Sequence, residues 1–361
     1  GYFSYESFQY VEPKLKYQNS KIPLISLCES TELVVFDNFK GTFYIIVNTK
    51  DKTSKGYDLA KARINEIKTT LFSLQASIPH NIEKKNIDIS SKSNIDYKTY
   101  EEQVNTIKQF VHEGEIMQAV LSKEVTFEGS YDPMTLYRAL RLINPSPYMF
   151  YLSFDDFNVI GASPEILVQQ TNGKVTIRPI AGTRKRGETS NEDLTNKIDL
   201  LEDDKEKSEH MMLVDLARND LSKVAEIGTV QVDEMMVIEK YSHVMHMTSN
   251  VIGQKKYDAS AVDCLKAALP AGTLSGAPKI RAMEILSKLE NRVRGIYGGA
   301  VGYIGFNGSL DTAIVIRTAI HTNKDVKVGV GGGIVFDSIP ENEWQETESK
   351  LAVFREALKY S

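Results

Sequence analysis

The chain has 361 residues, 42% of them hydrophobic and 25% charged, which is typical of a globular protein with one large or two ordinary domains. It has 43 Lys and Arg residues against 48 Asp and Glu residues, and the formal net charge of −5 argues against a nucleic-acid-binding surface. The longest basic cluster, residues 184–186, is predicted to be a solvated loop. No stretch approaches the ~18 apolar residues of a membrane span. Cys28 and Cys264 lie far apart without a CxxC motif, so we expect reduced thiols and a cytoplasmic protein.

Residues 1–98 are predicted to be a partial N-terminal region followed by a linker. Residues 32–36 and 42–47 have the composition of two paired strands. The polar run 81–98 is the best linker candidate. Because the chain begins at Gly1 in a predicted strand and without an initiator Met, we expect it to lack the start of a longer protein.

Residues 99–361 are predicted to form the main domain, in which helices are separated by short strands. Apolar periodicity and helix-start signals predict a helix from Tyr100, one from Asp132-Pro133 and one that ends near Val224. The segments 295–305 and 310–322 are predicted to form a hairpin. Short strands of antiparallel character mixed with separated helices indicate an α+β sandwich rather than a repeating βαβ sheet.

Two predicted helices each place a pair of carboxylates on one face. Glu206 and Glu209 are three residues apart, and Glu343 and Glu346 repeat this spacing, with Lys350 on the same face. Four carboxylates with no Cys or paired His nearby suit Mg²⁺ better than Zn²⁺. Solvated surface charge is the alternative explanation of an ExxE step, and spacing alone does not decide between them.

Four further features each permit a functional and a structural interpretation. The loop Gly272–Gly276 precedes a predicted helix and is either an anion site or a tight turn that packing requires. Arg317 lies in an apolar predicted strand, so it should pair with a carboxylate of the protein or of a ligand. His246 is either an acid/base group or a hydrogen-bonded structural histidine. Glu165 follows a strand and a turn, a normal place for a functional or an exposed acid.

Taken together, these segments resemble the chorismate-utilising enzyme family, and within it the anthranilate synthase component I group. The resemblance covers the chain from about residue 100 to the end, in order. It is carried by Pro179–Arg184, Glu206–His210, Asp215–Asp220, Val244–His246, Pro270–Lys279, Tyr297–Tyr303, Gly329–Gly333, Glu343–Thr347 and Lys350. It implies a large mixed or antiparallel β-sandwich with helices packed on its outer faces, and a chorismate-binding catalytic domain over residues 99–361.

The resemblance also implies roles for individual residues. Glu209 and Glu346 would hold Mg²⁺, with Glu206 and Glu343 as outer or alternate ligands. The substrate-binding residues implied by the family pattern are Gln118, Thr273, Tyr297, Arg317, Gly331, Gly333 and Lys350. In the implied reaction Glu165 protonates the departing ring hydroxyl of chorismate and ammonia attacks the ring. His246, with Thr183, then assists the loss of pyruvate that leaves anthranilate, the first committed product of tryptophan biosynthesis.

Two positions discriminate within the family. Members that add water to chorismate have a Lys base where this chain has Gln118, and a neutral amide does not deprotonate water. The 4-amino-4-deoxychorismate synthases usually have a nucleophilic Lys where this chain has Ala181, which forms no covalent adduct. Both differences favour anthranilate as the product. The alternatives are 4-amino-4-deoxychorismate synthase component I, and a truncated, inactive subunit that still binds chorismate or a partner.

The sequence contains no glutaminase motif, so ammonia is expected from solution or from a separate glutamine amidotransferase subunit. The resemblance further implies tryptophan as a possible inhibitor, bound in part by residues 144–150. Leu27–Ser30 looks similar to another part of that inhibitor site, but it precedes a strand that matches a later part of the family's N-terminal region. We therefore do not assign it that role.

Overall fold

The computed structural model describes residues 1–73, 82–241 and 244–361. The strands in these ranges are β1 (Tyr2–Phe3), β2 (Ile25–Ser26), β3 (Glu32–Asp37), β4 (Thr42–Val47), β5 (Lys92–Ser93), β6 (Gln118–Glu128), β7 (Tyr148–Ser153), β8 (Asn158–Ser163), β9 (Ile166–Thr171), β10 (Lys174–Ile177), β11 (Ile180–Lys185), β12 (Gln231–Lys240), β13 (Val244–Gln254), β14 (Gly276–Ala277), β15 (Ala300–Ile304), β16 (Leu310–Ile314), β17 (Thr318–His321) and β18 (Asp325–Ile334). The α-helices are α1 (Ser54–Ser73), α2 (Tyr97–His112), α3 (Pro133–Ile143), α4 (Ser190–Glu202), α5 (Asp204–Ser222), α6 (Ala261–Ala268), α7 (Lys279–Glu290) and α8 (Pro340–Leu358). None of the helices in these ranges combines the length and the apolar character needed to cross a membrane.

The described residues form two compact units. The smaller one, residues 27–83, contains the antiparallel pair β3–β4 and helix α1. The predicted pairing of these two strands is thus confirmed. The larger unit contains residues 84–361 together with residues 1–26, because β1 pairs with β15. This division differs from the predicted boundary at residue 98. Residue 81 of the predicted linker lies outside the described residues.

Two antiparallel sheets make up the larger unit. The nine-stranded sheet has the order β11-β13-β10-β9-β16-β15-β1-β2, with β12 also paired to β13. The seven-stranded sheet has the order β14-β6-β18-β17-β8-β7, with β5 also paired to β6. These counts refer to the described part of the chain. This arrangement matches the α+β class that the sequence predicts.

Buried apolar side chains fill the space between the sheets and the space beneath the helices. Val159 of the seven-stranded sheet packs in one cluster with Tyr2, Val301 and Ala313 of the nine-stranded sheet. Helices α5 and α6 share a cluster with β9, β10 and β13, whereas α2 and α7 share one with β6 and β18. Burial of this apolar surface is the main stabilising contribution to such a layered fold.

Two of the crossovers at which the chain passes from one sheet to the other lie next to each other. Pro164 and Glu165 connect β8 to β9, and residues 315–317 connect β16 to β17. Backbone hydrogen bonds join the crossovers: Ile314 N–H donates to the Glu165 carbonyl at 3.0 Å, and Ala162 N–H donates to the Arg317 carbonyl at 3.1 Å. The predicted hairpin is therefore correct only for β15 and β16.

Arg317 does not lie within a strand, as the sequence predicted, but ends the second crossover. Its φ of 48° is in the left-handed region, which a residue with a Cβ adopts at a cost in energy. The apolar run continues on both sides of Arg317 because the residues before it belong to β16 of the nine-stranded sheet and the residues after it to β17 of the seven-stranded sheet. The crossover brings the Arg317 side chain beside Glu165 at the sheet junction.

Candidate active site

A cavity of about 250 Å³ lies at the two crossovers. Ten residues predicted for the site line it: Glu165, Thr183, His246, Thr273, Tyr297, Arg317, Gly331, Gly333, Glu346 and Lys350. The other four predicted residues, Gln118, Glu206, Glu209 and Glu343, are not among the residues that line this cavity. The fold thus gathers residues from both sheets and from α8 around one space.

Glu165 is buried, so the alternative of an exposed acid is wrong. Burial raises the pKa of its carboxyl to about 8, although a hydrogen bond from Thr273 and the charges of Arg317 and Lys350 favour the ionised form. The Thr273 hydroxyl donates to Glu165 Oε1 at 3.2 Å. A carboxyl with this pKa carries a proton at neutral pH and is suited to donate it to a leaving group.

Arg317 faces the cavity, and within the described residues its guanidinium has neither a hydrogen bond nor an ion pair at salt-bridge distance. Burial lowers its pKa, and the neighbouring Glu165 opposes that effect. The structural ion pair, one of the two interpretations of Arg317, is therefore absent from the described residues, and a carboxylate of a ligand stays the other interpretation. A half-buried guanidinium with five free N–H donors is a strong receptor for a carboxylate.

The glycine-rich end of β18 presents backbone donors to the same cavity. Strand β17 pairs with β18 only as far as Val328, so one edge of β18 has no strand partner beyond that region. On the other side, Ser122 N–H donates to Glu290 and Val120 N–H donates to the Ser275 carbonyl, both away from β18. In an antiparallel pair, two directly opposed residues either both point their N–H and C=O groups at the partner strand or both point them away from it.

It follows that Gly331 and Gly333, which oppose Ser122 and Val120, direct their N–H groups to the open edge of β18. Lys350 Nζ donates to the Gly331 carbonyl at 2.7 Å, as this direction requires. A Cβ at Gly331 would lie 2.9 Å from Tyr297 Oη, so glycine allows Tyr297 to approach the strand closely. The edge offers two N–H donors, one tyrosine hydroxyl and one ammonium group to an anion.

His246 lies opposite these groups, on β13, where it pairs with Thr183 of β11. Its Nδ1 is 3.2 Å from the Gly182 carbonyl and 3.0 Å from Thr183 Oγ1. Because a carbonyl only accepts, the proton of a neutral ring resides on Nδ1, and Nε2 keeps its lone pair. Burial lowers the pKa of His246, and the Arg317 charge acts in the same direction. A neutral imidazole facing a cavity is suited to accept a proton.

A β-bulge at Gly182 creates this arrangement. The register of β11 against β13 shifts between Ala181 and Thr183, and Gly182 has a φ of 67°. A Cβ at this position would lie 2.8 Å from Leu200 Cδ1. The bulge turns the Gly182 carbonyl toward His246 Nδ1, so a glycine with left-handed backbone fixes the tautomer of the histidine.

The four predicted metal ligands lie on α5 and α8 as expected. The Asp203 side chain caps α5 by accepting from Lys205 N–H and Glu206 N–H, which sets the helical face of Glu206 and Glu209. Burial raises the pKa of Glu209, and the charges of Glu206 and Glu343 raise it further. Burial also raises the pKa of Glu343, and Glu346 adds to this effect. The carboxylates of the two helices therefore repel each other across a common space.

Within the described residues no three His, Cys, Asp or Glu side chains stand close enough together to hold a metal ion. Two of the four carboxylates, Glu206 and Glu346, form an ion pair with a cation of the protein. Arg184 Nη1 is 3.1 Å from Glu206 Oε1, and Lys350 Nζ is 2.7 Å from Glu346 Oε1. Hard oxygen donors with unbalanced negative charge fit a divalent cation such as Mg²⁺, so the donor set is compatible with the predicted metal.

Arg184 was not predicted as part of the site, because the run 184–186 was interpreted as a solvated loop. In the structure it lies in β11, one residue before the strand ends, and it also forms ion pairs with Asp199 and Asp203 at 2.6 and 2.8 Å. The acidic residues between 199 and 206 were the sequence feature that could have indicated ion pairs for Arg184. Without the fold, that signal did not identify which base they pair with.

The loop Gly272–Gly276 is explained by packing, the second of its two interpretations. A Cβ at Gly272 would lie 1.8 Å from Leu216 Cδ2, and one at Gly276 would lie 2.2 Å from the Gln118 carbonyl oxygen. The loop places the Thr273 hydroxyl within hydrogen-bond distance of Glu165. Gln118 does not line the cavity, but its Nε2 is 2.7 Å from where a Cβ on the lining residue Gly333 would be.

Comparison with known proteins identifies the class of this site. The model of the chorismate binding enzyme family matches residues 1–356, and the chain belongs to that family. The chain is 47% identical over 368 residues to anthranilate synthase component 1 of Pseudomonas aeruginosa, covering 98% of this chain and 74% of the relative. Anthranilate synthase component 1 of Aquifex aeolicus is 44% identical over 363 residues, covering 99% of this chain and 74% of the relative.

Solved structures agree with this assignment. Anthranilate synthase component I from Streptococcus pneumoniae superimposes with a TM-score of 0.85 and 36% identity, covering 98% of this chain and 79% of the other. The predicted α+β architecture is thereby confirmed. A menaquinone-specific isochorismate synthase from Escherichia coli shares the fold, with a TM-score of 0.74, 23% identity, and coverage of 88% and 72%.

Replacing the unpaired guanidinium tests the anion-binding part of the site. We expect Arg317→Lys to raise the KM for a dianionic substrate about tenfold or more, because an ammonium group cannot form the forked pair with a carboxylate. Arg218→Lys, on the exposed surface of α5, is the matched control. Steady-state kinetics measure both, and an unchanged KM in Arg317→Lys would remove Arg317 from the binding site.

Proposed function

We propose that this chain is the aminating subunit of a Mg²⁺-dependent anthranilate synthase, which converts chorismate and ammonia to anthranilate, pyruvate and water. One observation carries the proposal: a protonated acid (Glu165), an unpaired cation (Arg317) and a neutral imidazole (His246) face one cavity. The reaction needs a donor, an anion receptor and a base. The similarity to proteins named anthranilate synthase component 1 supports the same assignment.

In the first half of the reaction Glu165 donates its proton to the ring hydroxyl, which leaves as water while ammonia forms a bond to the ring. Chorismate carries two carboxylates, so binding it requires compensating charge and donors. Arg317, Lys350 and the N–H groups of Gly331 and Gly333 supply them.

In the second half His246 Nε2 accepts the proton from the ring carbon that bears the new nitrogen. The bond between the ring and the enolpyruvyl oxygen then breaks, the enolate of pyruvate leaves and takes up a proton to become pyruvate, and the ring becomes aromatic. Thr183 and the Gly182 carbonyl hold the imidazole through Nδ1, so that Nε2 is the basic atom. The lowered pKa of His246 keeps the ring neutral and ready to accept.

Glu209 and Glu346 would hold Mg²⁺, with Glu206 and Glu343 as outer or alternate ligands. When bound, the metal would supply positive charge for a substrate carboxylate. Repulsion between these carboxylates supports this assignment: burial is the main cause of the raised pKa values of Glu209 and Glu343, and neighbouring carboxylates raise them further. Metal binding requires these carboxylates in ionised form, so activity is expected to fall at acid pH.

Two neutral side chains support anthranilate over related products. Ala181 lines the cavity and carries no nucleophile, and Gln118 carries no basic group. A 4-amino-4-deoxychorismate synthase is the second candidate, because it shares the amination and differs in the fate of the enolpyruvyl group. Incubation with chorismate, Mg²⁺ and ¹⁵N-ammonium followed by NMR separates them: nitrogen ortho to the carboxylate supports the proposal, and nitrogen para to it refutes it.

Ammonia would come from solution or from a glutamine amidotransferase subunit. Cys28 is exposed and Cys264 is buried, and neither belongs to a glutaminase motif. Tryptophan remains a proposed inhibitor. Residues 144–147, part of the segment implied for it, line a second cavity of about 260 Å³ that shares Arg317 and Lys350 with the first. Inhibitor bound by this segment would therefore lie close to the substrate-binding cations.

Replacement of His246, the proposed general base, tests the order of the two half-reactions. We expect His246→Met to retain amination but to slow pyruvate loss about 10²-fold or more, so that an aminated, non-aromatic intermediate accumulates. The control is His112→Met, at the exposed end of α2. Quenched samples separated by chromatography reveal the intermediate. Anthranilate formed at the normal rate without it would show that His246 is not the base.

A further inference from the structure

A buried ion pair lies directly behind the cavity. Arg294 and Glu290 are 3% and 8% exposed, and two hydrogen bonds of 2.8 and 2.6 Å join the guanidinium to the carboxylate. The ring of Tyr5 covers the guanidinium, with its centroid 4.4 Å away. Glu6 accepts from the backbone N–H of Arg294 at 2.6 Å and of Gly295 at 3.0 Å. The proposed mechanism assigns no role to this costly arrangement of buried charge.

The remaining donors of Arg294 reach two residues that line the cavity. Nη1 donates to the Leu274 carbonyl at 2.7 Å, and Nη2 donates to the Val120 carbonyl at 2.6 Å. One planar guanidinium therefore fixes the loop before α7 relative to β6. Lysine cannot reproduce this contact, because its single ammonium group lacks the rigid fork.

The fixed loop places the hydroxyl that contacts the proton donor. Thr273 immediately precedes Leu274, and its hydroxyl donates to Glu165 Oε1 at 3.2 Å. The contact depends on the position of the loop, because Thr273 belongs to a single turn of 3₁₀ helix over Gly272–Leu274. We propose that Arg294 is a positioning residue for the reaction: by holding the Leu274 carbonyl, it keeps the Thr273 hydroxyl on the Glu165 carboxyl.

This inference rests on the proposed role of Glu165 as proton donor. The charged groups that face Glu165 are Arg317 and Lys350, and neither is bonded to Arg294. A hydrogen bond to the ionised carboxyl lowers its pKa, so losing the Thr273 contact should move the alkaline limb of kcat to higher pH. The position of that limb reports on the contact separately from stability.

The test compares pH profiles of kcat for Arg294→Lys, Thr273→Val and the double variant. We expect both single variants to shift the alkaline limb upward by about half a pH unit or more, and to lower the maximal kcat about tenfold. The double variant should shift no further than Thr273→Val, because both changes remove one contact. Arg281→Lys, whose side chain pairs with Glu115 and Glu284 and not with the loop, should leave the limb in place.

The proposal would be overturned if folded Arg294→Lys had its alkaline limb of kcat at the same pH as the wild type. Additive shifts of the limb in the double variant would also overturn it. Should Arg294→Lys fail to fold, the paired variant Arg294→Gln/Glu290→Gln removes the guanidinium without leaving Glu290 as an unpaired buried charge, and it is measured in its place. A shift in that variant supports the positioning role, and an unchanged limb contradicts it. If Thr273→Val leaves the limb unmoved and Glu165→Gln stays active, the proposed function fails instead, which distinguishes the two cases.

Discussion

Replacement of Glu165 by Gln is expected to lower kcat by about 10²–10⁴-fold, because the amide cannot donate a proton to the departing hydroxyl. Chorismate should still bind, since Arg317 and the Gly331 and Gly333 N–H groups remain. Steady-state kinetics and equilibrium binding measure the two effects separately. Glu124→Gln, on the seven-stranded sheet away from the cavity, is a matched control that should keep its activity.

The same variant is expected to become more stable than the wild type as pH rises. Burial raises the pKa of Glu165 from the ordinary 4.5 to about 8, so the folded protein keeps a proton that the unfolded chain releases. The favourable contribution is complete below pH 4.5 and lost as pH rises through about 8. The loss corresponds to about 5 kcal/mol. Gln does not ionise, so the melting temperature of Glu165→Gln should exceed that of the wild type at pH 9 but not at pH 5.

Equal differences in melting temperature at both pH values would contradict a raised pKa for Glu165. Activity unchanged by the substitution would remove it as the proton donor. The two readouts are independent, since stability is measured without substrate. Together they separate a buried structural acid from one that takes part in the reaction.

Replacement of Glu209 by Gln is expected to abolish magnesium-dependent turnover. The amide keeps the size of the side chain but removes one of the negative charges that bind the cation. Calorimetric titration with Mg²⁺ should show the loss directly, in the absence of chorismate. Glu202→Gln, at the exposed end of α4, is the control. Unchanged magnesium affinity and activity in Glu209→Gln would show that the metal is bound elsewhere.

Local chemistry made part of the site predictable. Asp203 is a helix N-cap, and the spacing of Glu206 and Glu209 places both carboxylates on one face of α5. Asp132 and Pro133 mark the start of α3 in the same way. These signals depend on residues within one or two turns of each other, so the sequence alone carries them.

The rest depends on contacts between distant segments. Arg317 was predicted inside a strand because the apolar pattern does not show where the chain changes sheets. The carbonyl of Gly182 reaches His246 only through a bulge against β13. Arg294 reaches Val120, 174 residues away in the chain. Periodicity reports which face of an element is buried but not which element covers it, so such contacts appear only in the folded structure.

The most direct test of the account is a single incubation with chorismate, Mg²⁺ and ammonium at mildly alkaline pH. Anthranilate fluorescence and pyruvate release are followed together. The account predicts that both appear at equal rates. Amination without pyruvate would indicate a 4-amino-4-deoxychorismate synthase, and neither product, with chorismate still bound, would indicate an inactive subunit. Either result would contradict the proposed function.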